Sequence, residues 1–310
     1  MDISNLKLYA APLQGFTERL WREVHAAIAG GVDEYFAPFS RVEKGAVRSR
    51  DVREVAGEQD VVGQAIFRDA EELRLVVESL TGAGVRKIDL NLGCPFPPQV
   101  KKGRGAAMIE RPDELLQASA VMAEFPEVEF SAKMRLGVSD CVAWRGAIDA
   151  INAMPLRMLT VHPRVAVQQY SGDLHLDEFA ALLEESRHPV VFNGDIVSAE
   201  DISRVSDRFP AITGVMVGRG LLARPLLARE WRSGQIASDA EQLTAALAIH
   251  DRILAHYRAT LCGDSQILQK IKPYWTYLAP ILPRRTAKAL HKSRTLDAYL
   301  AEVKSLEFRV

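Results

Sequence analysis

The sequence predicts an α/β chain: a closed (β/α)8 TIM barrel followed by a small C-terminal helical domain. Three observations carry this. Eight short strand-like runs, mostly separated by helical stretches, fit into about 230 residues, the count that such a barrel requires. The runs are near-continuously apolar, as in parallel strands covered on both faces and joined by right-handed crossovers. After Ser233 the strand-like runs cease, and Ala- and Leu-rich helical periodicity (Leu243, Leu247, His250, Leu254) takes over, punctuated by Pro273, Pro280 and Pro283. A doubly wound open sheet is the competing arrangement; it is disfavoured because no GxGxxG follows the first strand. The domains are accordingly placed at 1–235 for the barrel and 240–310 for the helices.

Taken in order, 6–11 is a short apolar run ended by Pro12, hence a first strand. Gln14-Gly15-Phe16-Thr17 turns the chain, and Thr17 is the expected N-cap of a helix to about Ala29. Strand two spans 34–39, followed by an Arg- and Glu-rich link to Gln59 that is part loop, part short helix. Strand three spans 61–67, and Asp69 caps a helix through Leu80. Lys87-Ile88-Asp89-Leu90-Asn91 alternates polar and apolar residues as strand four. Gly93 and Pro95 stop it, and Pro97 and Pro98 are expected to forbid a helix for several residues more. A helix at 112–125 leads to strand five at 129–134, and a helix at 142–153 to strand six at 157–162. A long polar loop, a helix at 176–185 and strand seven at 190–193 follow. Ser198 caps the next helix, and strand eight at 214–217 runs into a helix to about Trp231.

Composition narrows the classes. A 48% hydrophobic fraction supplies a core, yet no run approaches the roughly 20 apolar residues that span a membrane. The opening MDISNLKLYAAP lacks a basic segment followed by an apolar one, so no signal peptide is expected. Three scattered cysteines (Cys94, Cys141, Cys262) argue against a disulfide framework or a CxxC-type metal site. A cytoplasmic monomer without metal is the expectation. The net charge of −1 conceals an asymmetry. Residues 240–310 carry 11 Lys+Arg against 6 Asp+Glu, and 265–294 hold seven basic residues and no acidic one. Paired with Tyr274, Trp275 and Tyr277, that stretch reads either as a solvated face or as a nucleic-acid surface.

In a barrel the carboxyl ends of the strands converge on one mouth, so their residues should make one site. Strand one ends in Pro12-Leu13-Gln14, strand three carries Gln64, and strand four leads to Asn91 and Cys94. Strand five holds Lys133 and Arg135, and strand six ends in His162 and Arg164. Strand seven ends in Asn193-Gly194-Asp195, strand eight in Gly218-Arg219-Gly220. The last two loops are where barrels place phosphates on backbone N–H groups, and Arg219 can bridge phosphate oxygens. Cys94 sits on a tight loop at a strand end; its thiol, with an ordinary pKa of about 8.5, can donate a proton at neutral pH. Filling a small apolar corner is its other reading. A Lys133 pointing into the mouth is costly unless an anion, or a carboxylate such as Asp89, compensates it.

Asn91-Leu92-Gly93-Cys94-Pro95, with Val100 and Gly105-Ala106-Ala107-Met108 beyond, resembles the signature of the dihydrouridine synthases. The similarity extends over the barrel, through APLQGFT, SAKMRLG, HPR…QQYSG, NGDI and VGRG. It implies FMN as the cofactor, NADPH as the reductant and uridine in folded RNA, tRNA in the first place, as the substrate. Cys94 would then protonate carbon 5 of the uracil while hydride reaches carbon 6. Pro12, Leu13, Gln14, Gln64, Lys133 and His162 would face the flavin, with Lys133 stabilising the charge of its reduced form. Asn193, Gly194, Asp195, Gly218 and Arg219 would hold the remainder of the cofactor. Asn91, Arg135 and Arg164 would meet the substrate, and Lys270, Lys272, Arg284, Arg285 and Lys288 of the helical tail would bind RNA. The chain departs from the family pattern at Leu13, at Phe96-Pro97-Pro98 and at Pro163, the last expected to fix a loop carrying Arg164. The rival readings are an FMN barrel acting on a small molecule, as dihydroorotate dehydrogenases do, a dihydrouridine synthase acting on another RNA, and an RNA-binding barrel without catalysis.

Overall fold

Eight parallel strands close into a barrel in the computed structural model, which describes residues 6–58 and 60–307. Residues 1–5, part of the opening read for a signal peptide, lie outside the described residues, as do Gln59, where the second link was expected to end, and 308–310. In chain order the strands are β1 (Lys7–Ala10), β2 (Glu34–Ser40), a hairpin of β3 (Val42–Glu43) and β4 (Ala46–Val47), β5 (Val61–Ala65), β6 (Lys87–Leu92), β7 (Glu129–Gly137), β8 (Leu156–Val165), β9 (Val190–Asn193) and β10 (Gly214–Val217). The barrel order is β1-β10-β9-β8-β7-β6-β5-β2, with only the hairpin antiparallel among the described pairings. The helices are α1 (Arg19–Ile28), α2 (Ser49–Arg53), α3 (Ala70–Gly82), α4 (Pro97–Val100), α5 (Pro112–Ala123), α6 (Ile148–Asn152), α7 (Leu176–Glu185), α8 (Ala199–Arg208), α9 (Arg219–Ala223), α10 (Leu227–Ser233), α11 (Asp239–Thr260), α12 (Asp264–Ile271), α13 (Arg284–Lys292) and α14 (Leu296–Glu307).

The chain divides into two compact units. The first comprises 1–14, 33–194 and 204–216, and therefore most of the barrel. Its interior is sorted along the barrel axis. Tyr9, Ala11, Phe36, Val62, Met158, Val191 and Met216 form a buried apolar plug. At the amino-terminal end of the strands, Glu34 accepts from Lys87 Nζ and Arg157 Nη2, each at 2.7 Å. The plug thus fills the lower barrel and leaves polar side chains for the opposite end, as side-chain layers do in this fold.

The second unit comprises 15–32, 195–203 and 217–310. A Ser238–Glu241 capping box starts α11, and α1 packs on α11. Glu230, nearly fully buried, accepts from Arg224, Gln242 and the Ala237 amide, so its charge is paired and hydrogen-bonded. Trp275 Nε1 donates to Tyr299 Oη at 2.7 Å, and the same hydroxyl is hydrogen-bonded to His250 Nε2 at 2.6 Å.

Several local expectations are corrected. Thr17 is not an N-cap: α1 begins at Arg19 with Glu18 in the cap position and no side-chain cap. Pro97 and Pro98 do not forbid a helix but start one, because the first turn has no use for the amide hydrogens that proline lacks. The helix expected at 142–153 is a 3-10 turn (Ala143–Gly146) followed by α6, and the one expected to reach Trp231 is interrupted between α9 and α10. Strand six continues to Val165, so Pro163 and Arg164 lie in β8 rather than on a loop. Trp275 is fully buried and belongs to the core of the second unit rather than to a nucleic-acid surface. The caps at Asp69, which accepts from the Glu72 amide at 2.9 Å, and Ser198, which accepts from Asp201, are as expected.

Candidate active site at the mouth of the barrel

Strand register stacks the polar residues of β5 to β8 in layers. Gln64 pairs with Asp89, and Asp89 with Ser131. Asn91 pairs with Lys133, and Lys133 with Thr160. Arg135 pairs with His162. Paired positions on neighbouring strands face the same side, and successive layers are two residues apart. The sequence-predicted Gln64, Asn91, Lys133, Arg135 and His162 are therefore brought together, and Asp89, Ser131 and Thr160 join them.

Asp89 is fully buried and accepts on both oxygens: from Gln64 Nε2 at 2.7 Å on Oδ2, and from Ser131 Oγ at 2.7 Å on Oδ1. Burial pushes its carboxyl up to about 6, against the Gln64 and Ser131 hydrogen bonds and then the Lys133 and Arg157 charges. Gln64 Oε1 accepts from Asn91 Nδ2 at 2.8 Å, and Asn91 Oδ1 accepts from the amides of Gly93 and Cys94 at 3.2 and 2.8 Å. Gln64 is thus a buried member of a chain of hydrogen bonds.

Lys133 makes no ion pair or side-chain hydrogen bond among the described residues, and the alternative of an Asp89–Lys133 pair is not realised. Burial, then the neighbouring Arg135 charge, bring its ammonium down from 10.5 to about 8 in spite of Asp89 and Cys94. Thr160 Oγ1, opposite Lys133, is a buried oxygen without a hydrogen-bond partner. A part-buried cation with no ion pair, beside an orphaned hydroxyl, fits an anionic, hydrogen-bonding group such as a flavin ring.

Cys94 follows β6 on a loop held from both sides. Its carbonyl accepts from the Ala106 amide at 3.2 Å. Gly105, at φ +62°, passes so close that a Cβ there would lie 2.7 Å from the Cys94 carbonyl oxygen. Burial raises the thiol above its ordinary range, outweighing the Phe96 amide and the Arg135, Lys133 and Arg41 charges that pull it down. The thiol is therefore protonated at neutral pH, the state a proton donor needs. Behind the loop, Arg104 is buried against Glu72 of α3, with Nε to Oε2 at 2.8 Å, and donates to the Val42 carbonyl of the hairpin. Sequence reading missed this brace, because a contact across 32 residues leaves no local periodicity.

Arg135 and Arg164 spend their guanidinium groups on backbone. Arg135 donates to the Val165 and Gln169 carbonyls, Arg164 to that of Gly172. Together they hold the segment after β8, whose Tyr170 ring lies 5.5 Å from the Arg135 guanidinium carbon. Arg164 Nη1 also approaches His162 Nε2 at 3.3 Å. A guanidinium only donates, so Nε2 accepts and the neutral ring carries its hydrogen on Nδ1. Asn193 donates to the Met216 carbonyl at 2.7 Å, and a Cβ on Gly194 would lie 3.4 Å from His162 Cδ2. Pro12 and Leu13 are part-buried in the turn after β1, and Gln14 is exposed.

In the second unit Asp195, at φ +46°, accepts from Arg219 Nη2 at 3.1 Å. A Cβ on Gly220 would strike the Ile196 carbonyl oxygen at 2.2 Å, so a glycine is required at that position by close backbone approach. The basic tail separates into two kinds of cation. Lys272 is part-buried with Nζ on the Ser293 carbonyl, and Lys270 lies 3.8 Å from Glu18. Arg284, Arg285, Lys288 and Lys292, at helical spacing on α13, are exposed and make no ion pair among the described residues.

A sequence model of the dihydrouridine synthase family matches residues 9–295. The tRNA-dihydrouridine(16) synthase of Ralstonia nicotianae is 31% identical over 79% of this chain and 82% of its own. That of Neisseria meningitidis serogroup B is 30% identical over 72% and 70%. A probable tRNA-dihydrouridine synthase of Rhodobacter capsulatus is 29% identical over 81% and 78%. Among solved structures, morphinone reductase superposes with a TM-score of 0.53 at 13% identity, over 77% of this chain and 89% of that one. The old yellow enzyme of Trypanosoma cruzi superposes at 0.52 and 11% identity, over 75% and 89%. These two likenesses concern the barrel fold.

Proposed function

This chain belongs to the dihydrouridine synthase family, and from that premise we propose that it reduces uridine in tRNA to 5,6-dihydrouridine, with FMN as cofactor, NADPH as reductant and Cys94 as the general acid. The observation that carries the reading is the set of unmet valences at the mouth: Lys133 without an anion, Thr160 without a partner, and a protonated thiol on the adjoining strand-end loop. When bound, FMN supplies the redox chemistry, accepting electrons from NADPH and giving hydride to carbon 6 of the uracil. Gln64, Lys133 and His162 are the candidates for the flavin ring. For its phosphate the candidates are the Asn193–Gly194 turn in the barrel unit and, in the second unit, the Asp195 and Gly218–Arg219 turns.

The chain's own residues then have defined tasks. Lys133 offsets negative charge at the ring, an interaction strengthened by its partial burial. Cys94 Sγ gives its proton to carbon 5, where charge accumulates as carbon 6 is reduced. Asn91 holds the Cys94 backbone while this happens. Arg135 and Arg164 fix the segment after β8 that borders the substrate. The base must leave its stack to reach such a site, and the cations of α13 would hold the RNA backbone meanwhile. A flavin barrel reducing a small molecule would leave that basic helix face without a task.

Cys94→Ala separates the two half-reactions. The purified variant should be yellow and be bleached by NADPH at the parental rate, yet re-oxidise about 10²–10⁴-fold more slowly when tRNA is added anaerobically. Parental re-oxidation would mean that the acid lies elsewhere, and a colourless parent that gains no colour with FMN would end the flavin reading.

A further inference from the structure

We propose that Asp89 is a positioning residue: as the acceptor-only end of a hydrogen-bonded chain, it fixes the direction of both amides between itself and the Cys94 backbone. The chain runs Ser131 Oγ and Gln64 Nε2 to Asp89, Asn91 Nδ2 to Gln64 Oε1, and the Gly93 and Cys94 amides to Asn91 Oδ1. Its two ends have opposite and unalterable character. An ionised carboxylate only accepts, and a backbone N–H only donates. Between them each amide has one orientation that satisfies both neighbours. Gln64 must turn its NH₂ to Asp89 and its oxygen to Asn91; Asn91 must turn its NH₂ to Gln64 and its oxygen to the loop. If the Asp89 end ceased to be acceptor-only, Gln64 could invert. Its NH₂ would then face that of Asn91, and the donors compete until Asn91 releases the loop. One buried carboxylate thereby orients both Gln64, offered to the flavin, and Cys94, offered to the uracil. The consequence for catalysis rests on the functional reading above; the chain of hydrogen bonds does not.

Asp89 ionises at about 6, so at neutral pH the acceptor-only state prevails. The charges acting on it are Lys133 of β7 and Arg157 of β8, both of which favour ionisation; its other two contacts, Gln64 and Ser131, are neutral.

The test is hydrogen exchange at the Gly93 and Cys94 amides of the full-length protein as purified, with amides of β9 as internal reference. In Asp89→Leu these two amides should exchange about tenfold faster at pH 7 while β9 is unchanged, the size of effect that one unmade buried hydrogen bond produces. Asp89→Asn carries the donor and acceptor of the protonated acid and is no longer acceptor-only, so at pH 7 it should exchange these amides as fast as the parent does at pH 5. In the parent, after correction for intrinsic rates, lowering the pH from 7 to 5 should accelerate the same two amides, and Asp89→Asn should abolish that response. The pH arm stands even if Asp89→Leu does not fold. Parental protection in Asp89→Leu, parental protection in Asp89→Asn at pH 7, or no pH response in the parent would each overturn the inference. The catalytic counterpart is re-oxidation of the flavin-loaded protein by tRNA, slowed about tenfold in Asp89→Leu and in Asp89→Asn at pH 7. Failure of the parent to be oxidised by tRNA would fail the functional reading alone, since the exchange results do not involve RNA.

Discussion

Replacing Lys133 with Met should make the flavin-free protein more stable and, at the same time, bind FMN more weakly. The two signs follow from one observation: the ammonium is part-buried beside Arg135, has no ion pair, and titrates at about 8 instead of 10.5. A folded pKa below the unfolded one means that the charged form is penalised in the folded state. The penalty is absent above about pH 10.5, grows as pH falls towards 8, and is constant below that. A 2.5-unit difference corresponds to about 3 kcal/mol at pH 7, and allowance for partial solvent exposure brings it to about 2 kcal/mol. Methionine fills a similar volume without the charge. Thermal unfolding of flavin-free Lys133→Met should therefore occur roughly 4 °C higher than the parent at pH 7. By pH 10 the advantage should shrink to about a quarter, because most parental Lys133 is then neutral. Flavin titration should show the opposite effect, a loss of about tenfold to hundredfold in FMN affinity, the worth of one charge-assisted hydrogen bond. A variant less stable than the parent at pH 7, or a gain independent of pH, would refute the assignment of Lys133 as a buried cation penalised in the flavin-free fold.

Two further outcomes are expected. Gly105→Ala puts a methyl group 2.7 Å from the Cys94 carbonyl oxygen at a positive φ; it should cost about 1–3 kcal/mol in thermal stability and slow re-oxidation by tRNA while leaving NADPH reduction of FMN intact, and parental re-oxidation would show that the loop tolerates displacement. Reversing Arg284, Arg285, Lys288 and Lys292 to Glu should weaken tRNA binding and flatten its salt dependence by roughly one unit of slope for each phosphate no longer neutralised, whereas Lys272→Met should change stability more than affinity, because Lys272 is engaged with the Ser293 carbonyl; a filter-binding series across salt concentrations distinguishes these, and an unaltered slope in the reversal variant would count against α13 as the RNA surface.

The sequence by itself determined the alternation of strands and helices, and with it the barrel. Strands at 190–193 and 214–217 and the helix at 176–185 coincide with those expected, because apolar runs bounded by Pro, Gly and Asp are local signals that burial then reinforces. It also marked Gln64, Asn91, Cys94, Lys133 and His162, since polar residues at the ends of apolar strands stand out against their neighbours. Helix starts were less legible: Pro97-Pro98 has the same composition whether it ends one element or begins another, and only the surrounding backbone chose the first turn of α4. The place of Trp275 and Lys272 inside the second unit was likewise undetermined, because an aromatic and basic stretch reads alike whether its members face solvent or pack against Tyr299 and the Ser293 carbonyl. What tertiary structure decided above all was pairing. Asp89 finds Gln64 and Ser131, at separations of 25 and 42 residues, only because barrel closure sets those strands in register, and Lys133 is left without a carboxylate for the same reason. Periodicity assigns a side chain to a face, but which neighbour takes its hydrogen bonds depends on strand order and stagger, quantities that no single strand encodes.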